Sequence, residues 1–349
     1  MRAAVFQDVE NIQIQEVTDP TPGREDVIVE VAACGICGSD LEYYTGRSPL
    51  GTADGKGPLI LGHEFAGTVV AVGAEVTSAA VGDRVAVNPI QSYAGSDNSR
   101  SGNPQFDLET VLGVSTNGAF AQFVRTRAEH TYALPEKLTF EQGAFIEMLA
   151  ASLHAVERAD VAFGDLVVIY GPGPVGLSMV ELVIARGGTA VIVGTRDYRL
   201  ELGKALGAAH VFNASDASSP YYTDDLGGAI TSINGGLLAQ RAIVATSVPA
   251  ANASALEITG NGATIVYMGL SGPDDAVPVP LLSSLVMEKT IRFSWLYPNQ
   301  WPKTIRAMEA GIVNVDTLIT HGIELAVINE GIAQLGRRED GVIKVMVHP

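Results

Sequence analysis

Cysteine is almost missing: Cys34 and Cys37 are the only two in 349 residues. A disulfide framework is therefore excluded beyond one local bridge, and the chain suits a reducing compartment. Basic charge is also scarce. Lys and Arg total 22 against 39 Asp and Glu, a formal net charge of −17, and that field repels a nucleic-acid backbone and an anionic membrane surface alike. Neither is expected as a partner, whereas a small neutral substrate is compatible with the acidity. No apolar run is long enough for a membrane-spanning helix. Met1-Arg2-Ala3-Ala4-Val5 leads into strand-like sequence without the charged-then-apolar pattern of a leader, so cytoplasmic residence is the expectation.

What is present is enough apolar material, 47% of the chain, for two domains with substantial cores. Residues 1–90 alternate short apolar runs such as NIQIQEV, DVIVEVAAC and DRVAVNP with Gly, Pro and Asp breakers, the pattern of β-strands. Residues 92–107 are polar and rich in Gly, Ser and Asn, which predicts an exposed loop. From about residue 138 the pattern changes. The run FEQGAFIEMLAASLHAVERA has helical spacing, and after it LVVIY, PVGLSMVELVIARG, TAVIVG, YRLELGKALG, AHVFNA, RAIVATS and ATIVYMG mix strands with helices. That rhythm predicts an α/β fold with a doubly wound parallel sheet at residues 151–288, flanked by a discontinuous, mostly β domain at 1–150 and 289–349.

Two motifs carry chemistry. Cys37, in Cys37-Gly38-Ser39-Asp40, joins His63 and Glu64 of Gly62-His63-Glu64 to supply a thiolate, an imidazole and a carboxylate, a set able to hold one zinc ion with a position left open. The second is Gly171-x-Gly173-x-x-Gly176 after the strand VVIY, the turn that a dinucleotide pyrophosphate needs, with Pro174 and Val175 opening the next helix. Cys34-x-x-Cys37 lacks the second cysteine pair of a zinc knuckle and the setting of a redox motif, so Cys34 is expected as a small buried residue. Where NAD-binding chains usually present an acidic residue to the ribose, this chain has Gly194-Thr195-Arg196-Asp197. Glycine removes a repelling charge and arginine suits the extra phosphate of NADP; Asp197, in a shifted register, would instead favour NAD.

In order and spacing these segments, with Gly67, Gly73 and Val81-Gly82-Asp83-Arg84-Val85, resemble the zinc-dependent medium-chain dehydrogenases, above all the sorbitol-type polyol dehydrogenases, over essentially the whole chain. The resemblance implies a Rossmann domain and a GroES-like catalytic domain. It implies a catalytic zinc on Cys37 and His63, with Glu64 and Glu147 competing for the remaining protein position and Glu64 alternatively buttressing the site. Ser39 then takes the hydroxyl proton, Glu42 stands at the relay position where relatives often carry histidine, and Tyr43 and Trp295 face the substrate. Met268, Gly269, Leu270 and Thr246 flank the nicotinamide end, joining Thr195 and Arg196 as cofactor residues. The lobe that holds a structural zinc in many relatives has no cysteine here, so one zinc per chain is expected.

The implied reaction interconverts a polyol, sugar alcohol or secondary alcohol and its ketone by hydride transfer to NAD(P), with NADP favoured. The segment 278–295, PVPLLSSLVMEKTIRFSW, offers strand-like apolar material for pairing two subunits, giving a homodimer or homotetramer. Two other classes are weighed: a metal-free quinone or enone reductase on the same scaffold, which has no need of Cys37, His63, Glu64 and Glu147 together, and a nucleotide-binding module without turnover.

Overall fold

The computed structural model describes residues 1–48, 58–92, 95–107, 110–272, 274–277 and 279–349. The chain forms two compact units, Met1–Ala150 with Tyr297–Pro349, and Ala151–Leu296.

The first unit opens with β1 (Arg2–Asp8), β2 (Asn11–Glu16), β3 (Asp26–Gly35), β4 (Leu59–Ile60), β5 (Glu64–Val72), β6 (Arg84–Val87), β7 (Phe123–Arg127) and β8 (Thr131–Ala133). Helix α1 (Gly38–Tyr44) follows β3, α2 (Asp97–Arg100) lies beyond β6, and α3 (Phe140–Arg158) runs into the second unit. That unit contains β9 (Leu166–Tyr170), α4 (Pro174–Ala185), β10 (Thr189–Gly194), α5 (Asp197–Ala205), β11 (His210–Asn213), α6 (Leu226–Ile233), β12 (Ala239–Val244), α7 (Pro249–Glu257), β13 (Thr259–Tyr267), α8 (Leu281–Val286) and β14 (Thr290–Phe293). The chain then returns to the first unit with α9 (Trp301–Glu309), β15 (Ile319–Glu324), α10 (Ile328–Arg337) and β16 (Lys344–His348).

In the second unit six strands pair in the order β11-β10-β9-β12-β13-β14, all parallel. The central strand β9, LVVIY, is buried along its whole length, as a strand covered on both faces must be. Its C-terminal end, with those of β10, β12 and β13, carries every cofactor residue named from the sequence. The sequence placed the return to the first domain at residue 289; the structure places it at Tyr297, because β14 completes the parallel sheet. Within the segment expected to be strand-like, Leu281–Val286 is helical and only Thr290–Phe293 is a strand, while Pro278 lies outside the described residues.

In the first unit β3 is the hub, pairing antiparallel with β5, β7 and β16. The last of these pairings brings residues near position 345 against the Cys34-Gly35 end of β3. A buried cluster including Val29, Phe65, Val87, Phe120 and Val345 fills the space beneath. The polar loop expected at 92–107 is more ordered than its composition suggests. Asp107 accepts hydrogen bonds from Ser96 Oγ (2.5 Å), Asn98 Nδ2 (2.8 Å) and Ser99 Oγ (3.2 Å), and these partners hold its carboxyl below the usual range. This knot fixes α2 and a short 3-10 turn, so that Gln105 is buried rather than exposed. Tyr93 and Ala94, part of the same expected loop, lie outside the described residues.

Candidate active site

Cys37 sits where β3 gives way to α1, as the N-cap of that helix with extended φ of −93° and ψ of 158°. Asp40, fully buried one turn on, organises the site with both oxygens. Oδ2 accepts the Cys37 N–H at 2.8 Å, Oδ1 accepts the Gly62 N–H at 3.3 Å, and Oδ1 lies 3.6 Å from His63 Nδ1. A capping-box carboxylate thereby places the cysteine and orients the imidazole together. Gly62, before the histidine, has φ +89°, and a Cβ there would strike the Phe120 ring at 2.7 Å and Cys34 Sγ at 2.9 Å, so only glycine fits. Cys34 is fully buried and burial pushes its thiol pKa well up, which fits the packing role expected of it.

The Cys37 thiol, a His63 ring nitrogen and a Glu64 carboxylate oxygen lie within 4.8 Å of one another, the one such metal-ligand group among the described residues. Ser39 Oγ stands 3.4 Å from His63 Nε2. Burial opposes a charge on His63, but Asp40 and Cys37 outweigh it and hold the imidazole pKa well above its usual value. His63 Nδ1 is buried without a hydrogen-bond partner.

Two residues outside the expected site set stand beside this group. Lys344, from β16, is buried and donates to both Glu64 oxygens, at 2.9 and 2.6 Å, and to the Ile36 carbonyl at 3.1 Å. Burial works to lower the Lys344 pKa, yet Glu64 and Cys37 carry it above normal, so it remains an ammonium. Space for the Glu64 carboxylate exists because Gly35 faces it across the β3–β5 pair; a Cβ there would meet Glu64 Oε2 at 2.2 Å. Tyr297, two residues beyond Trp295, is buried, and its hydroxyl bonds Glu147.

Glu147, on α3, feels the charges of His63 and Lys344, which only partly offset its burial. Burial raises its pKa to about 7, the nearby Glu64 adds to the rise, and His63 and the Tyr297 hydroxyl oppose it. A buried carboxylate short of positive charge, beside a thiol, an imidazole and a second carboxylate, is what a divalent ion would compensate. The donor set therefore fits zinc.

The remaining predicted residues are placed as follows. Tyr43 is buried on α1 within the electrostatic reach of His63. Glu42 is not drawn into the cluster: its carboxylate is 41% exposed and faces Arg47 Nε at 3.8 Å. Trp295 is half-buried and belongs to the second unit, beyond the end of β14.

In the second unit Gly171 has φ +93°, and its missing Cβ would meet the Ala245 carbonyl oxygen at 2.8 Å and Thr246 Cβ at 3.0 Å. Gly173 is the N-cap of α4 with Pro174 and Val175 in its first turn. A Cβ on Gly176 would lie 2.1 Å from the Gly171 carbonyl oxygen, so the helix packs directly on the turn. A Cβ on Gly269 would likewise lie 2.2 Å from the Thr246 carbonyl oxygen, and Met268 and Gly269 both donate to the Val244 carbonyl at 3.1 Å. Leu270 is 44% exposed, and Thr195 and Arg196 are exposed beyond β10. Arg199, overlooked in the sequence, places Nη1 3.5 Å from the Pro172 carbonyl oxygen, over the glycine turn.

Comparison with known proteins agrees with this arrangement. Residues 23–136 match the alcohol dehydrogenase GroES-like domain, and residues 174–310 match the zinc-binding dehydrogenase family. The chain is 32% identical to the sorbitol dehydrogenase of Bacillus subtilis over all of its own length and 97% of that protein. Among solved structures it resembles a putative zinc-binding dehydrogenase of Sinorhizobium meliloti bound to NADP, with a TM-score of 0.91 and 26% identity over 100% of this chain and 99% of that one. An alcohol dehydrogenase of Escherichia coli complexed with NADH gives a TM-score of 0.90 and 28% identity over the same shares. Identity of this extent, over a GroES-like unit that brings a thiol, an imidazole and two carboxylates together and a parallel sheet with a dinucleotide turn, establishes that the chain belongs to the zinc-dependent medium-chain dehydrogenases, alongside the sorbitol dehydrogenases.

Proposed function

We propose that this oxidoreductase acts on the CH–OH group of a polyol or secondary alcohol, with one zinc ion per chain and NADP as its preferred hydride carrier. The observation that carries the metal reading is the group of half-buried Cys37 with buried His63 and Glu64, and the undercompensated Glu147 beside it. Cys37 and His63 are the fixed ligands. Glu147 supplies the third, because both oxygens of Glu64 are already held by Lys344, which leaves Glu64 the weaker donor. Bound there, zinc supplies Lewis acidity toward the alcohol or carbonyl oxygen. Asp40 fixes the imidazole so that Nε2 faces the Ser39 side, Ser39 takes or returns the hydroxyl proton, and Glu42, one turn along α1 at the surface, passes it to solvent. The deciding experiment is zinc per chain measured with a screen of polyols, diols, secondary alcohols and ketones against NADP and NAD. Near-stoichiometric zinc with turnover abolished by chelation is expected; activity in zinc-free protein would instead favour the quinone reductase reading.

The NADP preference rests on three observations in the second unit. Position 194 has no room for an acidic side chain, since a Cβ on Gly194 would lie 2.4 Å from Pro172 Cγ and 2.7 Å from Pro172 Cδ. Asp197, the residue that a shifted register would return to the ribose, is turned to Asn213 Nδ2 at 2.8 Å and Ser219 Oγ at 2.6 Å. Arg196 and Arg199 supply guanidinium charge at the same strand end. Gly194→Asp alone is therefore expected to impair turnover with both cofactors. Pro172→Ala combined with Gly194→Asp relieves the overlap and moves the NADP/NAD ratio of kcat/KM toward NAD by about a hundredfold, the scale of two lost charge-assisted hydrogen bonds. A wild-type enzyme that already prefers NAD would sink this assignment.

Self-association fits the second unit's edge. Leu281, Leu282, Leu285 and Val286 are 74–79% exposed on α8, close in sequence to the edge strand β14, where Phe293 is 70% exposed. So much apolar surface is unusual for a lone chain, and an edge strand pairs readily with its own copy about a two-fold axis. Light scattering should give a dimer or tetramer, and Leu281→Glu with Leu285→Glu should shift it to smaller species; a monomeric wild type would refute the reading. No helix among the described residues is long and apolar enough to cross a membrane, and the two unlinked cysteines suit the cytoplasm, which fractionation would check.

A further inference from the structure

The cysteine-free lobe borders a cavity of about 160 Å3 that contains none of the proposed zinc ligands. Ser99, Pro104 and Gln105 of the lobe line it together with Tyr132, Tyr297 and Trp301. Two of these side chains hold buried polar atoms with no partner, an acceptor, Gln105 Oε1, and a donor, Trp301 Nε1. Gln105 is 7% exposed and Trp301 2%. The Gln105 nitrogen reaches Asn103 Oδ1 at 3.4 Å, so one end of the amide is engaged and the other is not. Buried polar groups in native proteins are nearly always satisfied, and two orphans on residues that line one cavity call for an occupant. The knot around Asp107 holds the segment that carries Gln105, and Trp301 stacks on Tyr132 (centroids 5.3 Å apart, planes at 14°) and meets Tyr297 edge-on at 5.8 Å.

We propose that this cavity is a second binding site for a small uncharged polyol, with Trp301 Nε1 donating to one hydroxyl and the Gln105 amide accepting from another. Size sets the class first: a cavity of about 150 Å3 accommodates a ring of six heavy atoms, and a triol of three carbons has the same number. Charge sets it second. Among the described residues no Lys or Arg lines the cavity. Burial keeps His130 neutral, with its Nε2 bonded to the Ser92 carbonyl at 2.5 Å, and Glu129 is already paired with Arg127 at 2.8 Å. An ion of either sign would therefore enter without a counter-charge, whereas hydroxyls both donate and accept and carbon faces pack on the aromatic rings, the mixture that small-molecule sites present. The ring of Tyr297 lines this cavity while its hydroxyl bonds Glu147, so an occupant touches a residue that steadies the metal cluster.

The test is ligand-observed saturation-transfer NMR on the full-length, zinc-loaded, cofactor-free protein with glycerol as the probe. A saturable signal is expected, weakened about tenfold by Gln105→Leu and by Trp301→Phe, each of which removes one hydrogen bond, and changed less than twofold by Cys37→Ser. Gln105→Met, uncharged and of nearly the same shape, guards against a fold defect: it should fold as wild type, removes the acceptor and should also bind less well. Absence of a saturable signal overturns the proposal, because water alone then satisfies the two orphans. A signal abolished by Cys37→Ser and kept by Gln105→Leu overturns it too, because glycerol then binds only at the metal cluster.

Discussion

Cys37→Ser is expected to yield a folded protein with little zinc and with kcat/KM lowered about a thousandfold or more. The fold survives because Cys37 is the N-cap of α1, a position serine favours, and its N–H can still reach Asp40. The metal does not survive, because a neutral hydroxyl replaces the one thiolate in the group, and thiolate and imidazole are the donors that hold zinc tightly. Lewis-acid assistance is worth several kcal/mol, and about 1.4 kcal/mol is a factor of ten in rate, which sets the scale of the loss. Metal analysis and steady-state kinetics on one preparation decide the matter. Glu147→Gln should lower zinc content while sparing stability, since its partner Tyr297 can bond an amide as well as a carboxylate. Full activity in zinc-free Cys37→Ser would remove the metal from the mechanism.

These proposed ligands were legible in the sequence because each is embedded in a local pattern. Cys37 precedes a helix it caps, His63 follows a glycine that no other residue can replace, and the dinucleotide turn lies between a continuous apolar strand and a helix. The alternation of strands and helices likewise declared the parallel sheet. What stayed hidden depends on chain segments far apart. Lys344 stands among apolar residues of the last strand, and only the antiparallel pairing of β16 with β3 brings it to a glutamate 280 residues away. Arg199 and Pro172 matter through a helix and a turn folding onto each other. Tyr297 was hidden differently: it stands two residues beyond Trp295 but in the other unit, and only the contact with Glu147 sets it apart. The order of residues 95–107 escaped notice because a carboxylate surrounded by hydroxyls has the composition of a loop.

Lys344→Met should destabilise the first unit by about 3–5 kcal/mol, the usual cost of removing one partner from a buried ion pair. The side chains of Lys344 and Glu64 are 2% and 0% exposed, so water cannot take over from the lost ammonium, and the Ile36 carbonyl loses its donor as well. Glu64 would then be an uncompensated anion beside Cys37 and Glu147. Zinc supplies the missing positive charge in part, so the loss should be smaller in zinc-loaded than in chelated protein. Lys344→Met combined with Glu64→Gln removes both charges and should recover most of the stability, giving a coupling energy well above the scatter expected for independent sites, about 0.3–0.5 kcal/mol. Urea unfolding of the four proteins, with and without zinc, measures the cycle. Additive effects would mean that the contact contributes nothing beyond its two members. The expected non-additivity, reduced by metal, would identify Lys344 as the residue that holds Glu64 beside the cluster while keeping its charge from competing for zinc.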